Sequence, residues 1–371
     1  MIYRRFSPIL RLAPFVFLGV LAPLALNAEP LSAWQAAKAP RLRIAASPYP
    51  NFLLRILPTD VNFGEHLYRV RISTLGMGPS SELSRGHFYT LRAGFLDLAH
   101  IRRSIDLTAY VHYRITECLT NKESGFSFAG VEDTVYRCRL TYPDFWDGLE
   151  KGERDRIISK IAFDAAERAS FDLSNWREII TWYEFHNVPG MPEKGSAFSY
   201  EDVPSHCVGT AVALRALRTR GVPYNEAVTK ELHREIADLR IVSSEVYLKA
   251  MDLVKDRWWG HKTCLKRNID TGLDDGYVEP WLVRGLEQGP ASRPKMFRVS
   301  GNDFSDVDGY DCSGMVAFEY EPHLLKKDRV LKLLGRDVKS VDPVRDYPLI
   351  IRQVGKEIIE EFGADATVPY P

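Results

Sequence analysis

The stretch Arg92–Asp106, RAGFLDLAHIRRSID, decides how the rest of the chain is read. Its apolar spacing predicts the opening turns of a long helix over Arg92–Cys118. At about 3.6 residues per turn, Ala93, Asp97, His100, Ile101, Ser104, Thr108 and Val111 share one stripe. That stripe is small and apolar except at Asp97 and His100, which stand one turn apart and face the same way. A carboxylate and an imidazole turned inward need partners, because an unpaired buried polar group costs about 1–3 kcal/mol. Each other, a metal or a substrate would serve. Asp106 falls on the opposite face, where Arg102 at i,i+4 is its expected partner.

The chain of 371 residues is long enough for one large domain or two ordinary ones. It opens with Arg4, Arg5 and Arg11, the apolar run Leu12–Leu26, and Leu26-Asn27-Ala28. That is the pattern of a secretory signal peptide over residues 1–28, with cleavage expected after Ala28. Pro14 and Pro23 interrupt a run already too short to cross a bilayer, and no later stretch is apolar enough to do so. No transmembrane segment is therefore expected in the mature chain. Loss of the three arginines leaves 46 basic residues against 49 acidic ones. With no basic field, nucleic acid is excluded as an expected partner. The mature protein, residues 29–371, is expected to be periplasmic or secreted.

Export admits disulfides, and there are five cysteines. Cys118 and Cys138 flank the turn-rich segment Asn121–Gly130 and form the expected bridge, which would stabilise the fold by roughly 3 kcal/mol. Cys264 with Cys312 is the weaker pair, and Cys207 is left over.

Along the chain, strands are expected at Val70–Ile72, Val131–Thr141 and Met315–Tyr320. Helices are expected at Glu150–Ala169, at Leu173–His186 with Ser174 as cap, and at Tyr200–Thr219, where Ser199 to Asp202 reads as a capping box. Asn225–Leu239, Ser243–Trp258, Pro322–Gly335 and Val344–Phe362 follow as helices. Gly260–Asp311 is rich in Gly, Pro and Asp and reads as ordered loops. The fold class is α+β, helix-dominated, with a small sheet from strands near both ends of the mature chain. One domain is expected, residues 41–290 forming its core and 291–371 adding a strand and helices packed on it.

Asp97 and His100 lead the candidate site. Glu184 and His186 join them from the turn TWYEFH, beside a loop of Pro and Gly. Asp-x-x-His on one helix facing a carboxylate from another is how helical proteins assemble metal sites. Asp97, His100 and Glu184 are thus the expected metal ligands, with a divalent ion such as zinc the cofactor the pattern admits. Without metal, the same three would form a general acid–base set, His100 steered by Asp97. A structural ion pair is the competing reading.

Cys312 lies in GYDCSGMVAFEY, where Asp-Cys-Ser-Gly resembles the nucleophile motif of NlpC-type cysteine peptidases. Only His323 remains downstream, and Met315–Tyr320 alternates like a strand, so a strand cysteine is the stronger reading. Cys207 lies on the stripe Val203, Cys207, Ala211, Leu214 and is read as core. In GNDFSDVDGYD, Phe304 and Met315 occupy positions where a standard calcium loop needs ligands, so a solvated turn is expected. Trp258, Trp259 and Trp281 read as core in preference to a sugar-stacking platform.

Three segments together resemble a bacterial family catalogued as domain of unknown function 4056: YTLRAGFLDLAHIRRSID, WYEFHNVPGMPEKGSAFSYED and DTGLDDGYVEPWLVRG. The resemblance spans roughly Gly76 to Arg284. It implies an exported or envelope protein and brings no activity with it. It adds weight to Asp97, His100, Glu184, Glu201 and Asp202, and within its segments Arg92, Glu201, Asp202 and Asp275 are assigned to substrate contact. The expected function is a hydrolase, metal-assisted or acid–base, acting on an envelope polymer, a lipid or a small molecule. Two alternatives stand beside it. One is a non-catalytic envelope protein binding through the 260–311 loops; the other is a permuted papain-like cysteine hydrolase using Cys312 and His100.

Overall fold

The computed structural model describes residues 87–130, 134–183, 194–260, 263–286, 293–299, 304–323, 328–335 and 337–369. The expected signal peptide, the strand expected at Val70–Ile72, Glu184 and His186 lie outside the described residues. The first described element is a β-hairpin, β1 (His87–Thr90) against β2 (Gly94–Asp97), paired from His87↔Asp97 to Thr90↔Gly94. The helix α1 (Leu98–Thr120) starts only after it. The expectation that Arg92 opens this helix is thus corrected by six residues. Gly94 is the physical reason. Its φ of +67° suits glycine, and a Cβ there would stand 2.0 Å from the Trp281 carbonyl oxygen. Asp97 then caps the helix, its Oδ1 accepting from the Ala99 N–H at 2.7 Å.

The stripe read from the sequence is nonetheless the buried one. Ala93, Asp97, His100, Ile101, Ser104, Thr108 and Val111 are all buried. Arg102 is buried as well, so it does not lie on an open face with Asp106.

One helix, α2 (Lys151–Trp182), replaces the two expected between Glu150 and His186. Nothing after Gly152 breaks it: no Gly or Pro intervenes. Ser170 bonds back to the Ala166 carbonyl at 2.6 Å, and Ser174 is an interior residue, not a cap. Next come α3 (Asp202–Arg218), α4 (Tyr224–Asp238) and α5 (Ser244–Val254). Ser199 does not form a capping box, since its hydroxyl goes to the Glu201 and Asp202 carboxylates while Glu201 sits at the cap.

The strands are β3 (Gly125–Ala129), β4 (Thr134–Leu140), β5 (Tyr277–Val278), β6 (Phe297–Arg298) and β7 (Val316–Pro322). The helices α6 (Asp328–Leu334) and α7 (Pro343–Phe362) complete the described chain. β3, β4 and β7 form an antiparallel sheet with β4 in the middle, Cys138 facing Phe126 on one side and Phe318 on the other. A strand near residue 140 thus pairs with one near 320 across all the intervening helices. Their alternating buried residues include Tyr136 and Tyr320, whose rings pack edge to face, and Tyr320 meets Trp176 of α2. The architecture is a helix-dominated α+β fold.

A smaller apolar cluster gathers Tyr89, Phe95, Tyr200, Trp258, Trp259 and Trp281. The tryptophans are therefore core. The acidic loop is a turn in which the Gly309 N–H donates to Asp306 Oδ1 at 2.9 Å.

All five cysteines are buried free thiols, so the expected Cys118–Cys138 bridge is not formed. The Cys118 thiol instead donates to Glu123 Oε2 at 3.3 Å. Burial and that bond push its pKa up to about 12. Cys264 donates to the Lys266 carbonyl at 2.8 Å and is not joined to Cys312. Cys312 precedes a strand, not a helix, and is fully buried in the main core, where burial raises its thiol. Such a thiol is a poor nucleophile.

Candidate functional site

The site follows from the register of three helices. Ser104 Oγ lies 3.2 Å from Ser174 Oγ, and Thr108 Oγ1 donates to Ser170 Oγ at 2.8 Å. As α1 advances one turn, α2 recedes one turn, so the two run antiparallel. One turn earlier on α1 is His100, and one turn later on α2 is Glu178. The third wall is α3, which runs beside α1 with Ser205 Oγ accepting from the Asp97 N–H at 2.8 Å. Gly209 lets these backbones touch, since a Cβ there would stand 2.3 Å from the Ile101 carbonyl oxygen. His206 is thereby set against His100.

The two imidazoles stack with planes 5° apart and centroids at 5.2 Å. Nδ1 of His100 faces Nε2 of His206 at 3.1 Å. The far nitrogen of each ring points to an oxygen. His100 Nε2 lies 3.7 Å from Asp97 Oδ2, and His206 Nδ1 lies 3.3 Å from Asn175 Oδ1. The facing pair is itself within hydrogen-bond distance, with one nitrogen donating to the other; an ion held between the rings would instead need both N–H groups on the far sides, toward those oxygens. Two ligands on a tetrahedral zinc with bonds of about 2.0–2.1 Å sit roughly 3.3 Å apart, close to the separation seen. A carboxylate oxygen of Glu178 completes the set, the three ligand atoms lying within 4.8 Å of one another. Among the described residues this is the one His/carboxylate group with that spacing.

Around it lies a shell of buried carboxyls. Asp202 Oδ1 is 3.3 Å from His100 Nδ1, and Asp202 Oδ2 is 3.0 Å from Ser199 Oγ. Glu178 Oε2 accepts from the Phe198 N–H at 3.1 Å. Glu201 Oε1 accepts from Ser199 Oγ at 2.9 Å, while its Oε2 is buried without a hydrogen bond among the described residues. His87 bridges the outer edge, with Nε2 3.8 Å from Asp97 Oδ2 and Nδ1 3.7 Å from Glu201 Oε1. Its side chain is 28% exposed against 9% or less for Asp97, His100, Glu201 and Asp202, so the cluster meets solvent at His87.

Burial sets the protonation of the group. It drives His100 to about 3, against the opposing pull of Asp97, and His206 to about 3 with help from Arg103 and Arg177. Both rings are neutral at pH 7, the form that binds metal. Burial pushes the carboxyls of Glu178, Glu201 and Asp202 up, and mutual repulsion pushes Asp202 further. Carboxyls crowded in this way either share protons or hold a cation.

Of the residues expected at the site, Asp97, His100, Glu201 and Asp202 are brought together. Arg92 and Asp275 are not. The guanidinium of Arg92 is held by Asp238 at 3.0 Å beside the hairpin turn, and exposed Asp275 accepts from the Tyr277 N–H at 2.8 Å to close a loop. Glu184 lies outside the described residues, and the α2 carboxylate among the helices is Glu178. Sequence reasoning missed Glu178, His206, Asn175 and His87. The available signals were Asn175-x-x-Glu178 and Asp202-x-x-x-His206, each pair one turn apart on one helix face.

No curated protein and no solved structure matches this chain. The model of the family described as "Protein of unknown function (DUF4056)" matches residues 37–269, well over half the chain, and the chain belongs to that family.

Proposed function

We propose that this protein is an exported, metal-dependent hydrolase of the cell envelope, with His100, Glu178 and His206 as its metal ligands. One observation carries the reading: two neutral imidazoles aim nitrogens at each other across 3.1 Å while Asp97 and Asn175 occupy their far sides. A bound zinc-type ion would lower the pKa of a coordinated water to about 7. The remaining chemistry belongs to the side chains. Asp97 orients His100, and Asn175 orients His206. Asp202, 3.3 Å from the ligating nitrogen of His100, is placed to hold a proton beside the centre. Glu201, whose Oε2 has no hydrogen bond among the described residues, is the carboxyl free to pass a proton outward through His87. The signal peptide read from the sequence points to an envelope polymer or lipid as substrate.

The test is metal content. Full-length protein recovered from the exported fraction and dialysed against zinc should hold one ion per chain by mass spectrometry. His206→Ala and Glu178→Gln should hold far less while keeping native circular dichroism. Wild-type protein that takes up no more zinc than His206→Ala would end the proposal.

A further inference from the structure

The face of α2 that meets α1 carries Ser174, Arg177, Glu178 and Thr181 at i, i+3, i+4 and i+7. Ser174 is spent on Ser104, and Glu178 belongs to the candidate centre. Arg177 is 6% exposed, and among the described residues no hydrogen bond or ion pair is made by its guanidinium. Thr181 is 4% exposed, with a buried Oγ1 that also has no hydrogen-bond partner there. In the antiparallel register Thr181 is level with Asp97, and Arg177 is level with Ile101, beside His100. Its charge already steadies the neighbouring Glu178 carboxyl, and since its guanidinium makes no hydrogen bond among the described residues, its N–H donors are available to an anionic ligand.

We propose that Arg177, with Thr181, receives the anionic oxygens of a phosphoester group at the edge of the His100–Glu178–His206 centre. The proposal rests on the metal reading for its chemistry but not for its binding. A guanidinium presents two parallel N–H donors to an oxyanion, and the threonine hydroxyl offers a third from one turn away. The centre would take a further oxygen from another side. A tetrahedral phosphoryl group directs oxygens toward all three, whereas a carboxylate has two in one plane. Arg177 precedes Glu178 on α2, and its charge acts on His100, His206 and Glu178. Hydrolysis there would add water to phosphorus, break the P–O ester bond and release an alcohol with the second proton of the water.

The experiment is calorimetric titration of full-length protein with inorganic phosphate, and separately with acetate. It uses the zinc-loaded and metal-free forms of wild type, Arg177→Met and Arg177→Lys. Phosphate should bind wild type at least tenfold more tightly than Arg177→Met. Arg177→Lys should fall between them, because it keeps the charge and loses the fork. Acetate should bind more weakly than phosphate. Arg177→Met should keep native circular dichroism and should still take up zinc. Phosphate affinity unchanged in zinc-holding Arg177→Met would overturn the proposal, as would a preference for acetate. Protein that binds no zinc yet binds phosphate through Arg177 would defeat the metal reading and leave the anion site standing.

Discussion

Replacing Gly209 by alanine puts the geometry of the site under direct load. The added methyl would stand 2.3 Å from the Ile101 carbonyl oxygen, 2.7 Å from Ser104 Cβ and 3.0 Å from the Ile101 carbonyl carbon. Ordinary contact begins near 3.4 Å, so α1 and α3 must part by roughly 1 Å. Two of the three obstacles are backbone, which no rotamer change can clear. Overpacking of this kind costs about 1–3 kcal/mol, and the backbone clash argues for the upper end. Alanine in place of glycine inside a helix returns about 1 kcal/mol. The net is a loss of about 2 kcal/mol, read in calorimetry as a melting temperature lower by about 3 °C for a chain of this length. The same displacement would widen the 3.1 Å gap between His100 Nδ1 and His206 Nε2 to about 4 Å, past the spacing a tetrahedral ion needs. Zinc affinity should therefore drop together with stability. A variant that melts above wild type, as helix propensity alone would have it, and binds zinc unchanged would show that the close approach of α1 and α3 is not what positions the histidines.

The fold and the site were legible in the sequence to different depths, for reasons that can be located. The buried stripe from Ala93 to Val111 was readable because helical periodicity survives an error in where the helix starts. The start itself was not, because Gly94 enforces its turn through contact with Trp281, a residue far away in the chain. The continuity of α2 was hidden by Ser174, a good cap residue that here bonds to Ser104 across the helix interface. Every residue of α2 from Arg168 to Trp182 is buried, so no polar face betrayed which of its carboxylates points inward. That is why Glu178 was passed over; Glu184 lies outside the described residues. His206 was passed over for a similar reason. It sits beside Cys207 on an otherwise apolar helix, and only the register against α1 shows what it faces. The Cys118–Cys138 bridge was inferred from loop length, which says nothing about where each thiol turns.

Two further outcomes follow from single residues. His112 packs at a tilt against Phe163, ring centroids 4.4 Å apart, and burial, then Arg218, lowers its pKa to about 4. Unfolded, it takes a proton near 6.5; folded, it does not until about 4, so its contribution is present above pH 6.5 and lost as pH falls toward 4. His112→Phe should flatten the fall in stability across that window by at most about 1.4 kcal/mol per pH unit, measured by urea titration, leaving the parts due to His100 and His206 in place. The last prediction divides the two oxygens of Asp97. Oδ1 caps α1 through the Ala99 N–H at 2.7 Å, and Oδ2 faces His100 Nε2 at 3.7 Å. Asparagine keeps an oxygen for the cap but turns an NH2 toward the ring, so two donors meet and His100 is driven to the tautomer with its proton on Nδ1. That nitrogen is the proposed ligand, and losing such an orienting partner typically costs 10–100-fold in metal affinity, roughly. Asp97→Asn should therefore keep its urea midpoint to within a few tenths of a kcal/mol while zinc binding weakens by about that factor. Asp97→Ala should lose both, the cap accounting for about 1 kcal/mol. Asp106→Ala should leave zinc binding untouched. If Asp97→Asn binds zinc like wild type, the carboxylate serves the helix end alone, and the orientation of His100 must be sought in Asp202.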